Sequence, residues 1–394
     1  MVLFVAAGLL FLRPTNGDEP RVNVFLWFDT EDYLLPADDD ATLRLCEFLT
    51  AQNIRATFKL VGEKARVLEQ RGRKDVIDAL KKHEIGYHSD FHSVQPTPAL
   101  YMSQQGWDDG VAEFDRRERR GVQDITRIFG RKPSCYGQPG SSWGPQQFGA
   151  MRQWGMGVFL DAGRHVSLDG GPFWYCGILN LYALKATLRT GLGGPEELEK
   201  AKTQFDKAYE ALLAEGGGPV SIYYHPCEFV HAKFWDGVNF AAGANPPRSQ
   251  WKVPPQKSPQ ESRVAYETFE AYVRFIKAHP NVAFVTASEG LTLYRDRAIN
   301  RRFSTREIQQ IATRMAPPSD NQISFQRVAD QALAPSELLS LLNQFAAAAL
   351  GGKVPDAVAI AETPMGPTQQ APEHGQVWTD RSQFERTVQD VAEY

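Results

Sequence analysis

The segment GYHSDFHS, residues 86–93, sets His88 and His92 four positions apart in a chain with 8 histidines. Side chains at i and i+4 share one face of a helical turn, so this spacing predicts two imidazoles aimed at one ion. A pair of packed or surface histidines has the same spacing. Other residues able to do chemistry end apolar runs: Asp29 after VNVFLWF, Asp161 after GVFL and His225 after SIYY. Together with His88 after EIGY, each is expected just past the carboxyl end of a strand. In a βα barrel those ends gather on one face, and that face carries the active site. Two histidines four apart are metal-ligand spacing. The glutamate of a zincin HExxH is missing, because Ser89 follows His88, so a metalloprotease of that type is disfavoured.

Gathering these residues on one face requires alternating strands and helices, and the chain supplies them from Val22 onward. VNVFLWFD, IRATFKLVG, EIGYH, SCYGQ, GVFLD, PVSIYYH and VAFVTA read as strands. DDDATLRLCEFLTAQN has an acidic start and apolar Leu43, Leu45, Phe48 and Leu49, so it reads as a capped amphipathic helix. KDVIDALKKH and residues 108–129, 145–154, 195–214 and 259–278 read as further helices. About seven βα repeats result, the signature of a parallel sheet or barrel. Two stretches break the rhythm. Residues 231–260 are rich in Pro, Gly and aromatics and too long for an ordinary connection, so a loop over the active face is expected, packed by Phe234, Trp235, Phe240 and Trp251. Beyond Arg302 the alternation stops, and residues 303–394 are expected to form a small, mainly helical accessory module with caps at Ser324 and Ser336 and a proline-rich stretch, ETPMGPTQQAPEHG. Residues 21–302 are then the main domain.

Composition narrows the function. The chain has 394 residues, is 42% hydrophobic and 23% charged, and carries a formal net charge of -4, so it has no basic field for a polyanion and nucleic acid is not an expected partner. The apolar run at residues 2–12 is too short to span a bilayer and about right for the core of a signal peptide, so residues 1–20 are expected to direct export to an extracytoplasmic place, secreted or in the cell envelope. The 4 cysteines, Cys46, Cys135, Cys176 and Cys227, permit two disulfides but form no CxxC metal cluster.

FDTED, IRATFKLVG, EIGYHSDFHS, YGQPGSSW and SIYYHP, in this order and spacing, resemble the polysaccharide deacetylases of the NodB-homology, carbohydrate-esterase type, over about residues 22–297. The resemblance implies a distorted (β/α)7 barrel holding one divalent ion, most simply Zn2+, between a carboxylate and two histidines. It implies His88 and His92 as ligands, Asp29 as general base, His225 as general acid, and an oxyanion and substrate loop at Pro139 and Gly140, with Asp161 assigned alongside. Two positions depart from the family pattern. Thr30 stands where the metal carboxylate is expected, which moves that role to Glu31, with Asp32 as the fallback. Gly137 stands where an arginine orients the base, and Arg164 is one conceivable substitute. The implied activity is removal of N-acetyl groups from an amino-sugar glycan of the envelope or outside the cell. The alternatives are hydrolysis of small non-peptide amides and a non-catalytic carbohydrate-binding descendant.

Overall fold

The computed structural model describes residues 20–315, 325–329, 331–360 and 379–393. The expected export segment falls almost wholly outside them, as do Ser324 and the proline-rich stretch.

Strand β1 (Arg21–Thr30) is buried at every residue after its first, as a strand covered on both faces must be. Its alternation sorts two cores. Val24, Leu26 and Phe28 join the large core beneath the helices, whereas Phe25 and Trp27 join a second core with Val158, Leu160, Leu179 and Leu181 inside the curl of the sheet. By the same period of two, Asp29 continues the inner face.

The other strands of this sheet are β2 (Thr57–Leu60), β3 (Glu84–Tyr87), β4 (Cys135–Tyr136), β5 (Val158–Asp161), β6 (Phe173–Tyr175), β7 (Ile178–Tyr182), β8 (Thr187–Leu188), β9 (Gly217–Tyr224) and β10 (Val282–Val285). Their order is β6-β7-β5-β4-β3-β2-β1-β9-β8, and β10 joins β1. Within the sheet only the β6–β7 pairing is antiparallel. The inner end strand β7 and the far edge β8 are separated in sequence by residues 183–186 alone, which reach roughly 18 Å at full extension, so the sheet must curl until its ends approach. The result is a distorted, incompletely closed (β/α) barrel. One edge of β1 is shared, with β10 along Val22–Phe25 and β2 along Trp27–Thr30.

All seven strands read from the sequence are present. Three more, β6, β7 and β8, lie in FWYCGILNLY and at Thr187–Leu188. The hairpin turns at Cys176 and Gly177, with φ of 52° and 69°, the left-handed pair a two-residue hairpin needs. The loop over residues 231–260 is packed as expected: Trp235 is fully buried against Tyr33, Phe240 and Trp251, and His231 bridges to Gln256.

The C-terminal residues have a core of their own, including Ala298, Phe303, Ile308, Ile311, Leu333, Leu338 and Val358. The described part is mainly helical, as expected, with helices Thr305–Met315, Pro335–Leu350 and Arg381–Glu393, and two small antiparallel pairs are added, β11 (Arg302–Ser304) with β14 (Ala357–Ala359) and β12 (Gln326–Val328) with β13 (Gln331–Leu333). Ser336 is not a cap. The helix Pro335–Leu350 starts after Ala334, whose N–H donates to Glu337 Oε2 at 2.7 Å. All four cysteines are buried and free, and among the described residues no helix is long and apolar enough to cross a membrane.

Candidate metal centre

Because β1, β2, β3, β5 and β9 run parallel, Glu31, His88, Asp161 and His225 emerge on one rim. Glu31, His88 and His92 converge there, with one ligand atom from each lying within 4.8 Å of the others. Glu31 Oε2 is 3.5 Å from His88 Nε2 and 2.9 Å from His92 Nε2. Each ring is turned by a bond at its other nitrogen. His88 Nδ1 donates to the Gly137 carbonyl at 2.9 Å, and His92 Nδ1 donates to Ser93 Oγ at 2.8 Å, which donates on to Asp236 Oδ2 at 3.1 Å. That leaves both Nε2 atoms facing Glu31, the arrangement that orients imidazole ligands at metal sites.

The two histidines do not share a helical turn. Ser89 and His92 have φ of 67° and 60°, so the chain folds back in a tight loop. Ser89 Oγ accepts from the His92 N–H at 2.9 Å, and the N–H groups of Gly62 and Glu63, opening the helix Gly62–Gln70, donate to the Ser89 and Asp90 carbonyls.

Burial disfavours the Glu31 carboxylate's charge, yet His92 and His225 outweigh it and hold this group well below the usual range. Burial lowers His92 as well, but Glu31 overrides it and raises the imidazole to about 9. His92 Nε2 is nevertheless a buried atom without a well-directed hydrogen bond. Buried polar atoms of this kind demand a partner. A buried carboxylate and two imidazoles whose Nε2 atoms are turned toward it fit a divalent ion such as zinc, which would displace the proton that Glu31 otherwise holds on His92.

Next to this triad, Asp29 Oδ1 lies 2.9 Å from Lys59 Nζ and 3.4 Å from His88 Nδ1, and Asp29 Oδ2 lies 3.7 Å from His225 Nε2. Burial raises the Asp29 pKa, but His88, Lys59 and His225 together hold it below its ordinary value. Asp161 is not on a substrate loop. It is buried and paired with Lys59 at 3.0 Å. A second cluster able to hold a cation, Asp29, His88 and Asp161, thus already surrounds the Lys59 ammonium. Arg164 is exposed and takes no part.

His225 lies across the rim, with Nε2 3.9 Å from Glu31 Oε2. Burial pushes this imidazole down to about 4, and Arg189 adds to the effect. Arg189 Nη1 donates to His225 Nδ1 at 3.3 Å while its Nη2 pairs with Glu228. Arginine has no acceptor, so the neutral His225 ring carries its proton on Nε2, toward Asp29 and Glu31. Phe234 from the long loop meets the His225 ring edge-on at 4.8 Å.

Asp32 faces away from the two histidines. Its Oδ2 is 3.0 Å from His231 Nδ1 and its Oδ1 accepts from the Leu34 N–H at 2.8 Å. The loop with Pro139 and Gly140 follows Gly137, whose carbonyl holds His88, and the Gly140 carbonyl accepts from Gln138 Nε2. Sequence reasoning missed Lys59, Arg189, Glu228, Asp236 and His231. The period of two in RATFKL, set beside that of VFLWFD, was the available signal for Lys59.

The chain matches no protein-family model and no curated protein. Among solved structures it is similar to polysaccharide-type deacetylases and to an allantoinase. The allantoinase Puue aligns over 74% of this chain and 99% of that chain, at 14% identity and a TM-score of 0.46. The peptidoglycan deacetylase PdaC from Bacillus subtilis aligns over 76% and 100%, at 14% identity and a TM-score of 0.36. A family 4 acetyl xylan esterase from Clostridium thermocellum, solved with a cobalt ion, aligns over 69% and 91%, at 17% identity and a TM-score of 0.36. These are likenesses of fold.

Proposed function

We propose that this protein is a metal-dependent amide hydrolase of the deacetylase type, acting on N-acetylated sugar units of an extracytoplasmic glycan. The observation that carries the reading is the convergence of Glu31, His88 and His92, with a buried His92 Nε2 that has no well-directed hydrogen bond. Glu31, His88 and His92 would hold a divalent ion, which when bound supplies Lewis-acid polarisation of the amide carbonyl. Asp29, kept ionised by its cationic neighbours, takes the proton from the attacking water. A C–O bond forms as the C–N bond breaks, giving acetate and a free amine. A neutral imidazole is too weak an acid to give up its Nε2–H, so His225 donates a hydrogen bond to the departing nitrogen from Nε2, the atom it turns toward the site, and the proton that Asp29 took from the water passes to that nitrogen. Loop N–H groups at Pro139–Gly140 are not all available, since proline has none, so Gly140 is the donor assigned to the oxyanion.

A second reading, hydrolysis of small non-peptide amides, is favoured by one observation: Asp29, Glu31, His88 and His92 are all buried, and Phe234 lies against His225. Purified protein exposed to zinc should hold about one ion per chain, and Glu31→Gln or a His88→Ala, His92→Ala double variant should lose it. Acetate release from N-acetylated chitooligosaccharides then supports the glycan reading. Turnover of small linear or cyclic amides alone supports the second. A chain that binds no zinc and cleaves neither sinks both and leaves a carbohydrate-binding role.

A further inference from the structure

Lys59 is fully buried, an unusual place for an ammonium unless it is paired. It stands on β2 in register with Asp29 on β1, so the period of two sends both side chains to the inner face of the sheet. From there its stem crosses the barrel interior. Nζ reaches Asp29 Oδ1 at 2.9 Å, Asp161 Oδ2 at 3.0 Å and the Leu160 carbonyl at 2.8 Å, and it lies 4.0 Å above the Trp27 ring. Trp27 is itself fixed by its indole N–H on Ser221 Oγ and by stacking on Tyr223.

Two glycines clear the path. A Cβ on Gly86, Lys59's neighbour on β3, would stand 2.8 Å from Lys59 Cγ and 2.6 Å from Cys135 Sγ. A Cβ on Gly137 would fall on Lys59 Nζ itself and stand 2.8 Å from Asp161 Oδ2. Any side chain at Gly137 therefore competes with the ammonium for one space. The cation beside Asp29 in this chain comes from the second strand, and the glycine after β4 leaves the space that admits it.

We propose that Lys59, anchored by Asp161 and admitted by Gly86 and Gly137, is the positioning residue that aims the Asp29 carboxylate at the metal-centred site. This rests on the reading of Asp29 as the base.

The test is Lys59→Met in the full chain loaded with zinc. This variant should keep about one zinc per chain, because Lys59 touches none of Glu31, His88 and His92. A crystal structure should show Asp29 and Asp161 moved from their present places. Acetate release from chitopentaose should fall about 100-fold in kcat with KM within about threefold, the loss of a positioned proton-transfer group. In an Asp29→Asn background the further Lys59→Met change should add almost nothing, since residues acting as one unit are non-additive. Asp29 unmoved with kcat near wild type, or losses that multiply in the double variant, would overturn the proposal. Should Lys59→Met not fold, Asp161→Asn carries the test, because it leaves Lys59 and Asp29 charge-balanced. It should retain zinc, shift Asp29 and lower kcat about tenfold, and a kcat within twofold of wild type with Asp29 in place overturns the proposal. A wild type that binds zinc but hydrolyses no amide, with Asp29 displaced in the variant, defeats the functional reading and leaves the positioning role standing.

Discussion

Two aspartates three residues apart, Asp29 and Asp32, are assigned opposite duties by their partners. Asp29 meets Lys59, His88 and His225 on the rim, while Asp32 is enclosed with His231 and with the Lys64 ammonium, which donates to the Asp32 carbonyl at 2.8 Å. Asp29→Asn should keep its fold and its zinc while lowering kcat by about 100-fold or more, the contribution expected of a general base. Asp32→Asn should also keep zinc, and should instead lower the free energy of unfolding by about 1–3 kcal/mol, because it weakens a buried polar pair. Elemental analysis and urea unfolding of the two variants separate these outcomes. Zinc lost from Asp32→Asn but not from Glu31→Gln would return the ligand role to Asp32.

Among the elements, the connection into β3 carries a proton-sensitive joint. His83 Nδ1 accepts from the Ala56 N–H at 3.3 Å, and its Nε2 donates to the Cys46 carbonyl at 3.0 Å, tying the helix Pro36–Ala51 to the entry of β2. The ring is therefore neutral, and burial pushes its pKa down from 6.5 to about 4. In the unfolded chain this histidine protonates near its ordinary value, so between about pH 6.5 and pH 4 the unfolded state binds the extra proton and stability falls as pH falls. The loss approaches about 3 kcal/mol by pH 4. Urea unfolding of the wild type across that window should show the decline, and His83→Gln should remove His83's share of it, leaving that of His225, which burial also pushes down to about 4. The long loop offers a second check. Trp235 is fully buried and its ring centre lies 6.0 Å from that of His92, so Trp235→Ala should cost about 3–5 kcal/mol and weaken zinc retention through His92.

On the scale of the whole molecule, the barrel and the C-terminal residues have separate cores that meet beside β6. Phe325 packs edge-on against Phe173 and Tyr175, and Arg327 pairs with Asp169. The natural cut lies earlier than Arg302: Tyr294 belongs to the barrel through Asn23 and Trp174, whereas Ala298 already belongs to the second core. A chain ending at Tyr294 should fold cooperatively and keep its zinc, because the barrel's buried clusters draw on no residue beyond Tyr294. Aggregation of that chain, or loss of zinc by it, would show that the C-terminal residues complete the barrel.

The seven strands and the rim were legible in the sequence because both depend on local patterns. Apolar runs such as VNVFLWF end in a polar residue, and parallel connection then brings Asp29, His88, Asp161 and His225 to one face whatever the details. The hairpin in FWYCGILNLY was not legible, since a run apolar throughout has no period to read. Nor was the left-handed loop that replaces a helical turn between His88 and His92, which is held by the distant amides of Gly62 and Glu63. Asp161 shows the limit most clearly: its place at a strand end was readable, but its duty was not, because that depends on a lysine from another strand crossing above two glycines. Local sequence determines which face of a strand a residue occupies, and only the tertiary register determines which charges meet there.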